Sequence, residues 1–322
     1  MNTFPTLLKR EFWEHKGGFF WAPIVASSAF LVLTAMGVIS AEAIGKKAGV
    51  QINGIHLEML TQKLGPEAIA KLGMGLDVAF FLASVWAFVT LAFVVFFYCL
   101  GSLFDERKDR SVLFWKSLPI SDRDTVLAKV VSALAVAPVI AGVTGIVAGF
   151  GFLLLLSGLA LFHGGNPLVL IWGPASPLQV AASLLASLPV YAVWALPTVG
   201  WLLLCSAWAK SKPFLWAIVI PVLSGVLVSW FDVMQMFSLN SGWYWSHVVA
   251  RLLGSALPGA DILFRGDQDM FERMNGPEDL AELFTTGYAW AGLVSADVWI
   301  WAAAGVAMIV AAIRLRRWRE DA

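Results

Sequence analysis

Residues Val78–Gly101 read VAFFLASVWAFVTLAFVVFFYCLG, a stretch without a single Asp, Glu, Lys or Arg. At about 1.5 Å of rise per residue, a helix of this length covers the roughly 30 Å hydrocarbon core of a bilayer. The run lacks the period-two alternation of a membrane barrel strand, so a transmembrane helix is the reading that fits it. Five further stretches have the same character: Phe19–Ser40, Val130–Phe162, Leu178–Ser206, Phe214–Phe231 and Leu293–Ile313. The third and fourth of the six exceed a simple span, which predicts tilt, kinks or a terminal turn. The expected fold is an all-α membrane protein, residues 1–322 forming a single domain of six transmembrane helices. Composition agrees: 59% of residues are apolar, mean hydropathy is +0.77, and only 14% are charged, against about 25% in ordinary soluble domains. Ala41-Glu42-Ala43 resembles a signal-peptide cleavage site. The apolar run before it is longer than the usual 7–15 residues, so the first span is expected to stay.

Net charge is zero, so the position of the charges carries the information. With the N-terminus placed inside, fifteen Lys and Arg fall in the segments facing the cytoplasm and seven in the outer loops. By the positive-inside bias, both termini are expected in the cytoplasm. Trp21, Trp172, Trp243, Trp245, Trp299 and Trp318 sit near predicted span ends, as interfacial anchors do.

Outside the spans, residues 1–18 predict an interfacial helix. Phe4, Leu7, Leu8 and Phe12 share one face, with Lys9, Arg10, Glu11 and Glu14 elsewhere. The loop Ala41–Asp77 is expected to hold a short surface helix near Pro66–Leu72. Ser121, three residues before Asp124, is a capping-box-like start for the third span. The outer region 232–292 contains two semi-apolar pieces, near Trp245–Leu257 and Leu280–Gly292. Both are too short to cross; they either lie on the surface or enter as re-entrant helices covered by protein.

Catalytic and cofactor signals are sparse. His15, His56, His163 and His247 have no metal-ligand spacing, and Cys99 and Cys205 offer neither a disulfide framework nor a metal site. No phosphate-cradling G-x-x-x-x-G-K-[ST] loop occurs. Span middles are almost free of ionisable groups, unlike a proton relay. No cofactor and no metal are therefore expected in this chain, and no nucleic-acid partner. Pro138, Pro189, Pro197 and Pro221 fall in spans three to five, where they shape or hinge helices. Gly145 and Gly149 form a small-x-x-x-small pair suited to close packing, expected within the chain more than at a dimer seam.

The most distinctive segment follows the second span: Leu103-Phe104-Asp105-Glu106-Arg107-Lys108-Asp109-Arg110-Ser111-Val112-Leu113-Phe114-Trp115-Lys116-Ser117-Leu118-Pro119-Ile120-Ser121. Its Leu103–Leu118 part reads as one cytoplasmic helix ending at Pro119. A dense charge run adjoins the apolar cluster Val112–Trp115, which needs a protein partner or membrane surface to cover it. This segment resembles the first cytoplasmic loop of the ABC type-2 exporter permease family. There an E-R run is followed by a small residue, an apolar patch and L-P-x-S; here the matching positions are Glu106, Arg107, Ser111, Leu118, Pro119 and Ser121. The N-terminal helix, six spans and long region before the last span extend the resemblance over most of the chain.

The resemblance implies a permease subunit in the bacterial inner membrane, acting as a homodimer with a second copy of itself and surrounded by membrane lipid. Two separate ABC ATPase subunits, carrying ATP and Mg²⁺, would sit beneath it. Residues 102–125 would form the coupling loop, with Asp105, Glu106, Arg107, Arg110, Phe114 and Trp115 transmitting force from the ATPase. The second and fifth helices would line the pathway through Trp86, Thr90, Phe93 and Phe97 and through Ser224, Leu227 and Phe231. These stripes suit a hydrophobic or amphipathic substrate. Two other classes stay open: a non-transporting membrane scaffold that docks a cytoplasmic partner, and, less supported, a membrane enzyme acting on lipids.

Overall fold

The computed structural model describes residues 4–47, 59, 65–111, 120–235, 240–264 and 285–318. Among them the regular structure is helical throughout, and six helices are long and apolar enough to cross a membrane. Helix α1 covers Phe4–Glu14 and α2 covers Ala22–Lys47, joined through a π turn at Gly17–Trp21. Next come α3 (Pro66–Ser102) and the short α4 (Phe104–Lys108). Helix α5 (Asp122–Val131) passes through a π turn into α6 (Ala137–Phe162). The fourth and fifth long helices are α7 (Pro177–Trp208) and α8 (Pro213–Val233). A folded-back stretch of α9 (Ser241–Tyr244), a π turn at Trp245–Val249, α10 (Ala250–Gly254) and α11 (Ala260–Leu263) follows. The described chain closes with α12 (Thr286–Ala291) and α13 (Ala296–Trp318).

Local chemistry sets these boundaries. Proline stands in the first turn of α3, α7 and α8, where its missing N–H costs nothing. The Ser121 hydroxyl accepts from the Asp124 amide at 3.0 Å, the capping arrangement expected from the sequence. Asn240 and Thr285 cap α9 and α12 in the same way. Lys212 takes a left-handed conformation, φ 47°, in the short link between α7 and α8.

Two boundary expectations need correction. The second span does not begin near Val78 after a separate surface helix; α3 runs unbroken from Pro66. Nothing between Leu72 and Val78 stops it. Gly73 presses on the Pro174 carbonyl, and Asp77 accepts a hydrogen bond from the Ser176 amide at 2.7 Å. The coupling segment is also not one helix from Leu103 to Leu118. Helix α4 stops at Lys108, and Arg110 takes φ 55°, a left-handed conformation that breaks helical continuity. Phe114, Trp115 and the rest of 112–119 lie outside the described residues.

The core forms where α3, α6, α7 and α13 meet. Leu91, Val95, Ala141, Val199, Leu202 and Ile309 are all buried in it. Small residues let the backbones approach. A Cβ on Gly200 would stand 2.4 Å from the Gly305 carbonyl oxygen, and one on Gly145 would stand 2.9 Å from that of Ser84. Gly149 faces the Phe80 ring. The Gly145/Gly149 pair thus packs α6 on α3 inside the chain.

The α9–α11 stretch folds back into the bundle rather than lying across its end. The Thr198 hydroxyl, in mid-α7, donates to the Arg251 carbonyl at 2.9 Å and accepts from the Ser255 amide at 3.0 Å. Tyr191 donates to the Ala256 carbonyl. Arg251, counted in the sequence as an outer-loop charge, is buried, paired with Asp297, and 4.6 Å over the Trp194 ring. Gly259, φ 75°, turns the chain at the tip.

Candidate functional site: a buried charge cluster under the bundle

At the bundle end where α1 lies, six ionisable side chains from four elements connect. Glu11 on α1 is 1% exposed and Lys129 on α5 is 2% exposed; they pair at 3.0 Å. Lys129 also reaches Glu106 on α4 at 3.0 Å. The second oxygen of Glu106 takes Arg316 of α13, which in turn binds Asp122 of α5 at 3.1 Å. Arg10 joins Glu11 at 2.7 Å and Glu106 at 3.4 Å. Tyr98 at the end of α3 donates to Glu11 at 2.8 Å. Three mostly buried carboxylates thus meet three cations, and these six sum to zero charge; Arg10 also binds the half-exposed Glu14 at 3.2 Å. Buried ions are tolerated when paired in this manner.

Burial alone would push the Glu11 carboxyl up. Lys129 opposes this by charge and hydrogen bond, with help from Tyr98 and Arg10, and holds it below its ordinary value of 4.5.

A second fastening lies next to the first. Ser206, near the end of α7, accepts from the amides of Leu103 and Phe104 at 3.1 and 3.0 Å. Its carbonyl and that of Ala209 accept from the Arg107 guanidinium at 2.6 and 2.9 Å. Helix α4 is therefore tied through Glu106 to α1, α5 and α13, and through Arg107 to α7.

The predicted site residues divide accordingly. Glu106 and Arg107 point inward as fasteners, while Asp105 and Arg110 are exposed, as are Lys108 and Asp109 between them. The two proposed stripes behave differently. Trp86 stacks on Phe30 of α2 at 5.8 Å, and the Thr90 hydroxyl donates back to the Trp86 carbonyl. Phe93 and Phe97 are exposed, Phe97 stacking on Phe214 of α8. Ser224 donates to the Pro221 carbonyl and accepts from Tyr244, so it faces the folded-back segment. Leu227 is exposed and Phe231 half-buried. The structure does not gather the two stripes into one cavity within this chain.

Sequence reading missed Glu11, Lys129, Asp122 and Arg316. It placed Glu11 off the apolar face of α1, yet the buried side of that helix holds Leu7 and Glu11 together, one turn apart. Phe4, Leu8 and Phe12 are half-buried flanks. Spacing offered a signal: Leu7 and Glu11 stand at i and i+4, on one helical face. Glu11, Glu14 and His15 also lie close enough to share an ion, but the Glu11 oxygens are already occupied by Lys129, Arg10 and Tyr98.

No family profile, curated protein or solved structure matches this chain.

Proposed function

We propose that this chain is the membrane-spanning permease subunit of an ATP-driven exporter for a hydrophobic or amphipathic substrate. In this reading it works as a pair with a second copy, in a bacterial inner membrane, with both termini cytoplasmic. Two partner ABC ATPase subunits bind ATP and Mg²⁺ beneath it, and α9–α11 is re-entrant from the outer side.

The observation that carries the reading is the fastening of α4. A push on its exposed Asp105–Arg110 side reaches α1, α5 and α13 through Glu106 and α7 through Arg107. Because α5 continues into α6, the push reaches three of the long apolar helices. A segment that only bridged two spans would need no such coupling. The sequence pattern E-R…S…L-P-x-S at the same place supports the reading independently, and the apolar exposed stripe of α3 leaves a face for the second copy or lipid.

The test is purification of the tagged chain from its own host, followed by ATPase measurement after reconstitution. Recovery of a Walker-motif ATPase, and loss of most substrate-stimulated turnover in Lys108→Glu/Arg110→Glu with an intact, monodisperse permease, is the expected result. These two side chains are exposed, so the variant perturbs docking and leaves the buried cluster alone. An assembly with no such motor would overturn the proposal and favour the scaffold class.

A further inference from the structure

Beside the fastened charges, the start of α5 and the last turns of α13 line a half-open cleft of about 570 Å³. Asp122 and Arg123 belong to one wall, and Arg314, Arg316 and Arg317 to the other. Asp124 follows Arg123 in sequence but lies off the cleft. Arg316 and Asp122 pair at 3.1 Å, and Arg316 also holds Glu106. These two belong to the neutral cluster. Arg123, Arg314 and Arg317 do not: all three are exposed, and their guanidinium groups make no ion pair or hydrogen bond among the described residues. Arg314 and Arg317 stand at i and i+3, on one face of α13. Three like charges around one space repel each other, and an anion between them removes the repulsion.

The position of the cleft says where such an anion comes from. Helix α13 has 23 residues, about 35 Å of rise, little more than one crossing of the hydrocarbon core. Its last turn therefore emerges at the depth of lipid headgroups. Trp318, in that turn, is 85% exposed, and tryptophan is the side chain favoured at this depth. Ile120 and Ile313 add apolar surface to the cleft.

We propose that the cleft binds the phosphate of an anionic phospholipid headgroup, with Arg314 and Arg317 holding it from α13 and Arg123 from α5. Basic pockets between membrane helices take such headgroups, and the planar guanidinium group offers paired donors that match phosphate oxygens. A zwitterionic headgroup has no net charge and would leave the three arginines uncompensated. The site concerns binding by this chain alone and does not depend on the ATP-driven reading.

Free phosphate offers the same chemistry, so the experiment separates the two sources. The full chain, stripped of lipid in a neutral detergent, is titrated with phosphatidylglycerol, cardiolipin, phosphatidylcholine and inorganic phosphate, and bound species are counted by native mass spectrometry. Phosphatidylglycerol or cardiolipin is expected to bind tightest. Arg314→Gln/Arg317→Gln is expected to weaken that binding about thirtyfold, about fivefold for each charge removed, and Arg123→Gln about fivefold. Arg317→Gln alone, also about fivefold, replaces the double variant if that does not elute as a single species. Lys210→Gln/Lys212→Gln removes two exposed lysines from the link between α7 and α8 and is expected to leave binding unchanged. Equal loss in the lysine variant, or phosphatidylcholine bound as tightly as the anionic lipids, means general surface attraction and overturns the site. Anionic lipid bound equally well by the arginine variants overturns it too. An unchanged Arg123→Gln beside a weakened α13 variant overturns the cleft as the place of binding. Inorganic phosphate bound as tightly as the lipids overturns the lipid assignment.

Discussion

Glu106 holds Lys129 on one oxygen and Arg316 on the other, with its side chain mostly out of water. Removing Glu106 leaves Lys129 with Glu11 alone and Arg316 with Asp122 alone, and the group holds one cation in excess, at a cost of up to about 3–5 kcal/mol. Glu106→Gln should therefore lower the Tm of the purified chain markedly in a detergent melt. Adding Lys129→Met removes one cation for the one carboxylate lost, and the double variant should regain part of that Tm. Glu11 shares the pH response with Glu106, whose carboxyl burial would raise but Lys129 and Arg316 hold below its ordinary value. The folded-state pKa of each is below 4.5, so each contribution is complete above the ordinary carboxylate range and fades as pH falls through the folded value. The Tm should be flat down from neutral pH, then drop below pH 4.5, and Glu11→Gln should make the drop shallower, leaving the part due to Glu106. These pairings were illegible in the sequence because they join distant positions: Glu11 and Lys129 are 118 residues apart, Arg316 and Glu106 are 210. The sequence marked Glu106 and Arg107 as unusual, and only their neighbours in space show that they fasten rather than protrude.

Helix α13 packs along α7 with Gly305 over the backbone of Leu196 and Pro197. A Cβ on Gly305 would come within 2.5 Å of the Leu196 carbonyl oxygen, and backbone offers no flexible end to yield. Gly305→Ala should cost about 1–3 kcal/mol through forced separation of the two helices. Gly37→Ala in α2 is the control, because its Cβ would meet nothing within 4 Å; it should be neutral or slightly stabilising. Thermal melts of the two variants side by side check both. At this scale the sequence was informative wherever apolar length or a cap decides the outcome. All six long helices overlap the predicted runs, and Ser121 caps as read. It failed where tertiary contact decides. Pro66–Leu72 read as a short surface helix, yet its continuation through α3 is held by Pro174 and Ser176. The depth reached by Ser255 follows from a hydroxyl on α7 that no local pattern announces.

Taken as one body, the molecule has its fastened charges at one end, with the arginine-lined cleft beside them. Cysteine labelling of intact cells tests the arrangement around them. Cys99 and Cys205 are buried, so single cysteines replacing Lys16, Trp318 and Gly164 can be read against a quiet background. An impermeant maleimide should reach Gly164→Cys and neither of the other two; labelling of Lys16→Cys alone would contradict an even number of crossings. Whole-molecule organisation was the most legible level, because it depends on sums of apolar residues. The neutral balance of the cluster was the least legible, because it depends on which charges meet. That balance has an electrical consequence. Work done by a transmembrane potential scales with net charge displaced, about 2.3 kcal/mol per elementary charge per 100 mV. Glu11, Glu106, Asp122, Lys129, Arg10 and Arg316 carry none between them, so moving these six side chains together adds nothing to a gating current, and any such current comes from the other charges on the helices.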